Sequence, residues 1–307
     1  MLKTKPSIIF FGNEQLCTGA NSLHAPIFQS LLENGYDIQA LILNAGEKSK
    51  ITSIEKYAVG ASVPVYKVQN KQEIATVIQG LKPKLGILAA FGRIVPQTII
   101  DSFEYGIINI HPSLLPKYRG PTPVESAILN GEKQTGVSIM KLAAEMDAGP
   151  VYSQKVININ AMITSVELAA QLARLGSELL IDVLGKLNDK SFVPIPQENT
   201  HATYCKLIEK GDGRMLPMTS TAIQLEREVR AYLGWPKSQL QYKGLNIIIL
   251  ESKVAQIDVK PGQLEVHNGK LLLGCKQDSL DIIRLQVAGK KPTDAKGFIN
   301  GYKNILQ

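Results

Sequence analysis

The sequence predicts an α/β protein, with a doubly wound, mostly parallel sheet followed by a small β-barrel domain. Three observations carry this. In the first half, short and nearly continuous apolar runs alternate with helical patterns, as expected for parallel strands covered on both faces. Beyond a Pro- and Asn-containing stretch near residue 195, the pattern changes to short strands separated by Gly turns. At 307 residues the chain is long enough for two domains that each bury a core. The expected boundaries are 1–188 for the first domain, 189–205 for a linker and 206–307 for the second.

Ile8 to Phe11 reads as the first strand, followed by Gly12 and a polar loop. A helix from about Ala25 to Glu33 places Ile27, Leu31 and Leu32 on its apolar side, and Asn34-Gly35 stops it. Gly12 and Gly19 do not complete a G-x-G-x-x-G fingerprint, so no dinucleotide is expected. Ile38 to Leu43 is a second strand, and helices over 51–59 and 72–81 flank the extended piece Val63 to Tyr66. Leu85 to Phe91 is a central strand ending in Ala89-Ala90-Phe91-Gly92. Small residues there admit a flat ligand close to the backbone, or allow tight helix–sheet packing.

Gly106–Ile110, a helix over Pro123–Leu129 and the strand Val137–Leu142 continue the alternation. Val151 to Ile159 alternates as an antiparallel strand does, and Thr164-x-x-Glu167 is a capping box opening a helix to about residue 187. Pro194, Pro196, Asn199 and Thr200 mark the expected linker. Thr221-x-x-Gln224 then opens a helix that closes at Gly234-Trp235-Pro236. Strands over 239–242, 246–252, 263–267, 270–275 and 280–287 make a barrel of OB-like size, and a helix from about Asp294 ends the chain.

Apolar content of 44% and charged content of 20% are ordinary for a soluble globular protein. No run approaches a membrane span, and Ile8 to Phe11 is too short for the apolar core of a signal peptide. Cys17, Cys205 and Cys275 have no metal-ligand spacing, so a reducing, cytoplasmic setting is expected and no metal. The net charge of +7 is uneven. Residues 201–307 carry 16 Lys+Arg against 10 Asp+Glu, an excess of +6, beside a nearly neutral remainder. A polyanion-binding module shows such a charge, and so does a basic surface kept for solubility.

The densest chemistry lies in Gly106–Pro121, GIINIHPSLLPKYRGP, with Asp147-Ala148-Gly149-Pro150 downstream. Asn109 and His111 are two apart on a strand and therefore share a face. They stand at its carboxyl end, where open α/β sheets place their ligands. Taken singly, an Asn there caps a turn, a His is a satisfied core residue, and Asp147 makes an Asx turn before Gly-Pro.

Asn109-Ile110-His111, Ser113-Leu114-Leu115-Pro116, Arg119-Gly120 and Asp147 together resemble the folate-dependent formyltransferases. That resemblance implies a Rossmann-like catalytic domain in which Asn109, His111 and Asp147 surround the transferred formyl group. It further implies that the turn Ser113, Leu114, Leu115 and Pro116 shapes a pocket for 10-formyltetrahydrofolate, the co-substrate, for which Ala90, Phe91 and Gly92 are candidates by their open backbone. Arg93, Lys117 and Arg119 are candidates for folate carboxylates, for RNA phosphates, or for plain surface charge.

The final helix–strand series and Gly289-Lys290-Lys291 resemble the branch of the family that formylates methionyl-tRNA. The implied partners are an initiator methionyl-tRNA and folate, without a membrane, for a monomer. Two departures stand out. Gly12-Asn13-Glu14 replaces the Gly-Thr-Pro usual in that branch, and the stretch Asn44–Lys50 is short, with Lys48 and Lys50 but no Arg. An amino-sugar nucleotide is the alternative acceptor, and water, as in a formyltetrahydrofolate hydrolase, is a more distant one. An RNA-binding protein on a relic fold is the non-enzyme reading.

Overall fold

The computed structural model describes residues 5–12, 26–45 and 53–306. The sequence features at Asn13, Glu14, Cys17, Gly19, Ala25, Lys48, Lys50 and Ile51 lie outside them. The chain divides into two compact units. The first comprises Met1–Pro123, Lys133–Ile159 and Glu167–Lys206; the second comprises Val124–Glu132, Asn160–Val166 and Leu207–Gln307.

In chain order the elements up to residue 186 are β1 (Ile8–Gly12), α1 (Pro26–Glu33), β2 (Ile38–Asn44), α2 (Ser53–Gly60), β3 (Val65–Val68) and α3 (Lys71–Leu81). They continue with β4 (Leu85–Ala89), α4 (Gln97–Ile100), β5 (Ile107–His111), α5 (Pro123–Leu129), β6 (Gln134–Lys141), β7 (Val151–Asn158) and α6 (Ser165–Lys186). One seven-stranded sheet runs in the order β3-β2-β1-β4-β5-β6-β7. Pairing is parallel from β3 to β5 and antiparallel where β6 joins β5 and β7 joins β6.

The near-continuous apolar strands follow from two covered faces. Ile8, Phe10, Ile87, Ile108 and Ile110 pack with α1 and α6 residues such as Phe28, Leu180 and Val183. Ile9, Phe11, Leu88 and Ile107 pack on the other face with Ile74, Ile78, Ile99 and Ile100 of α3 and α4. Asn109 and His111 lie in step with Ile107, so they emerge on that second face at the end of β5. The strand order reverses at β1, flanked by β2 and β4, the kind of place where open α/β sheets form a ligand crevice. The short α4 went unforeseen because four residues hold no helical period.

Residues 189–205, expected to be a linker, belong to the first unit, which runs on to Lys206, and are pinned to it by backbone pairing. Val151 and Ile195 exchange two hydrogen bonds of 2.8 Å. Arg119 donates its N–H to the Thr203 carbonyl and accepts from Cys205, each at 2.8 Å.

In the C-terminal stretch of the second unit, α7 (Ala222–Ala231) comes first, and its Thr221–Gln224 capping box forms as the sequence predicts. It continues through β8 (Ser238–Tyr242), β9 (Leu245–Ala255), β10 (Leu264–His267), β11 (Lys270–Gly274), β12 (Ser279–Val287), β13 (Thr293–Asp294), α8 (Ala295–Gly301) and α9 (Lys303–Leu306). The sheet is antiparallel in the order β10-β11-β12-β9-β8, with β13 paired to β12. It curls enough to bring the Tyr242 hydroxyl 3.5 Å from Oε1 of Gln263, so its two ends approach each other. Leu225 and Val229 of α7 and Phe298 of α8 enter its core with Ile247, Leu273 and Leu285.

Candidate active site

The structure brings together the three residues singled out in the sequence. Asn109 and His111 are 5% and 4% exposed. Asp147 comes from the connection between β6 and β7 and reaches both. Asn109 Nδ2 donates to Asp147 Oδ1 at 3.3 Å, and His111 Nδ1 lies 3.6 Å from Asp147 Oδ2. The same Oδ2 accepts the backbone N–H of Gly120 at 2.9 Å. His111 Nε2 sits 2.9 Å from the Tyr118 carbonyl. A carbonyl can only accept, so that partner assigns a hydrogen to Nε2. Nδ1 is then the nitrogen turned towards the carboxylate. Asn109 keeps a second amide hydrogen beyond the one given to Asp147.

Backbone geometry explains the two glycines around this cluster. Gly120 has φ +117, and a side chain there would meet the Cys205 carbonyl oxygen at 2.7 Å. A side chain at Gly149 would run into the Lys141 carbonyl oxygen. Asp147 itself adopts φ 49, in the left-handed region. Burial pushes the Cys205 thiol above its ordinary pKa, so it stays protonated and serves as packing beside Thr122.

The Ser113–Pro116 turn is held by partners that sequence reasoning did not find. Ser138 of β6 donates to the Ser113 carbonyl at 2.6 Å and accepts the Leu115 N–H at 3.1 Å. Gln154 of β7 donates to the Leu115 carbonyl at 2.7 Å. Ser113 Oγ closes the turn onto the Lys117 carbonyl at 2.6 Å. The available signal was Ser138, a hydroxyl inside the apolar run Val137–Met140. Leu115 and Pro116 border a cleft of about 340 Å³ that Tyr152, Gln154, Gln197 and His201 also line. The three residues around Asp147 are not part of that cleft lining.

After β4, Ala90 and Gly92 both have positive φ, 50 and 74, so the backbone turns sharply away from the sheet. Phe91 turns its ring into the core, edge-on to Phe11 at 5.4 Å, and its carbonyl accepts from Asn44. At this corner it is therefore backbone, and not an aromatic face, that is left open to a ligand. Arg119 is 2% exposed and so is neither surface charge nor a reachable phosphate contact. Its guanidinium donates to Gln197 Oε1 from Nε and Nη2 at 3.1 and 2.8 Å, and to Asn199 Oδ1 at 2.8 Å. Gln197 in turn donates to the carbonyls of Asp147 and Gly149 at 2.8 and 2.7 Å.

Fold and sequence define the class. Residues 39–184 match the family model described as "Formyl transferase", and residues 208–303 match "Formyl transferase, C-terminal domain". A relative named methionyl-tRNA formyltransferase, from Dehalococcoides mccartyi strain 195, is 38% identical over 82% of this chain and 82% of its own length. The chain belongs to the methionyl-tRNA formyltransferase family. Two solved structures share the fold. HypX from Aquifex aeolicus, in complex with tetrahydrofolic acid, has a TM-score of 0.68 at 16% identity, covering 96% of this chain and 47% of that one. An N-formyltransferase from Helicobacter canadensis, in complex with folinic acid and dTDP-3-aminofucose, has a TM-score of 0.65 at 19% identity, covering 94% and 100%.

Proposed function

We propose that this chain transfers the formyl group of 10-formyltetrahydrofolate to the α-amine of an initiator methionyl-tRNA, in the cytoplasm. The observation that carries the reading is the convergence of Asn109, His111 and the Gly120 N–H on the Asp147 carboxylate. Family membership and the 38% identity of the relative named above support the choice of acceptor. The +6 excess over residues 201–307 suits a polyanionic substrate.

An α-amine has a pKa of about 7.7–8.0, so most of it is protonated at neutral pH and lacks a lone pair. Asp147, held as an acceptor by two N–H donors, withdraws that proton or stabilises its departure. The free amide hydrogen of Asn109 polarises the formyl oxygen and meets the oxyanion that forms on attack, without changing its own charge. His111, with Nε2–H fixed on the Tyr118 carbonyl, takes up through Nδ1 the proton that leaves the attacking amine by way of Asp147 and delivers it to the departing N10. The backbone corner Ala90-Phe91-Gly92 and the braced turn Ser113, Leu114, Leu115 and Pro116 hold the folate.

The test is formyl transfer from labelled 10-formyltetrahydrofolate to three acceptors: charged initiator tRNA, a nucleotide-linked amino sugar, and water. Labelled formylmethionyl-tRNA as the dominant product supports the reading. Faster transfer to the amino sugar, or release of free formate, would replace it.

A further inference from the structure

The deepest charge beside the proposed site does no evident catalytic work. Arg119 is almost wholly buried, yet among the described residues it makes no ion pair. Its partners are the neutral oxygens of Gln197, Asn199 and the Tyr204 hydroxyl, the last at 3.3 Å. A desolvated guanidinium surrounded by amides is expensive to keep, so its hydrogen bonds are worth tracing to their ends.

They end on Asp147 by two routes. Through its side chain, Arg119 takes both Nε and Nη2 to Gln197 Oε1. A guanidinium has donors only, so this fork fixes the amide with Oε1 inward and Nε2 outward. Both Nε2 hydrogens are then spent on one turn, at the carbonyls of Asp147 and Gly149. Through its main chain, Arg119 delivers Gly120, whose N–H grips the Asp147 carboxylate. Asp147 sits at φ 49, in the left-handed region that aspartate enters more readily than most side chains but still seldom. The amide of Gln197 ties down two carbonyls of that turn.

From this geometry we infer that Gln197, oriented by Arg119, is a positioning residue for Asp147. It clamps the backbone of the turn so that the carboxylate stays in register with Asn109 and His111. Gln197 lies in the 189–205 segment, so that stretch is part of the catalytic apparatus. The inference rests on the proposed role of Asp147.

Gln197→Glu is the sharp probe. The carboxylate keeps its charge-assisted contact to Arg119, so a purely structural role is preserved, but it cannot donate to two carbonyls. Gln197→Met removes the clamp without adding charge. Both variants are expected to lower kcat by about 10- to 100-fold, the scale at which a misplacement of the order of an ångström acts. The KM for each substrate should stay within about twofold, because the clamp acts on the Asp147 turn and not on either substrate. Asp147→Asn is measured alongside. If it is inactive while either Gln197 variant keeps a kcat within about twofold of the parent, the clamp is wrong and the site reading stands. If Gln197→Glu alone loses activity, the effect is charge and the positioning role falls. A higher KM at unchanged kcat would make Gln197 a substrate contact instead. Should Asp147→Asn itself keep full kcat, the reading of the site fails first.

Discussion

Glu228 in α7 offers a test of the second unit's electrostatics. Burial, together with the charge of Asp212, raises its pKa from 4.5 to about 7. The same cluster pushes Tyr232 up to about 12, through burial and then the charges of Glu228, Asp212 and Glu125. Between pH 4.5 and about 7 the folded chain keeps a proton that the unfolded chain has lost. Stability therefore falls as pH rises through that window, and the penalty is complete above it. At about 1.4 kcal/mol per tenfold, the full rise corresponds to about 3 kcal/mol. Glu228 is only half-buried, and solvent screening leaves about 1–2 kcal/mol of this.

Glu228→Gln has nothing to ionise and keeps the side chain's shape. At pH 8 it should raise the melting temperature by about 3–8 °C, and at pH 4.5 by nothing measurable. Circular dichroism melts of both proteins across that range decide the matter. An equal gain at every pH would place the effect in packing or helix propensity. A loss at pH 8 would mean that the ionised carboxylate is satisfied, and the reasoning about its burial would fail.

Three further outcomes bear on function. Asn109→Ala, His111→Ala and Asp147→Ala should each lower kcat by about 10² or more with the circular dichroism spectrum intact, since each removes one oxyanion donor or one proton carrier; near-normal kcat in any one removes its assigned role. The KM for methionyl-tRNA should rise steeply between 50 and 200 mM salt, as counterion release requires of phosphate contacts, whereas a salt-independent KM would favour an acceptor that is not a nucleic acid. Finally, the short Asn44–Lys50 stretch has two lysines and no planar arginine fork to hold phosphate or stack on a base. Discrimination in kcat/KM between initiator and elongator methionyl-tRNA should therefore be weak. Strong discrimination that survives a Lys48→Ala, Lys50→Ala double variant would show that another surface reads the acceptor stem.

The strand–helix alternation, the parallel sheet, the long α6 and the antiparallel second unit were all legible in the chain itself. They depend on local periodicity and on capping such as Thr221–Gln224, both of which act over a few residues. Asn109 and His111 were legible as a pair for the same reason, since a strand's period of two places them on one face. The family resemblance already sets Asp147 beside them, and only the tertiary structure shows which atoms meet and what holds the carboxylate there. Asp147 is 38 residues from Asn109, Gln197 is 50 from Asp147, and Ser138 is 25 from Ser113. No local pattern records such pairings, because they are set by how the whole sheet stacks its strands. Composition also misjudged two features for that reason. Arg119 stands in the sequence as a candidate for folate carboxylates, RNA phosphates or plain surface charge, yet folding buries it to orient one amide. The Pro-rich stretch around Pro194 and Pro196 read as a spacer. In the folded chain Ile195 pairs with Val151 across a backbone bridge, and the two prolines lack N–H groups that this pairing does not need.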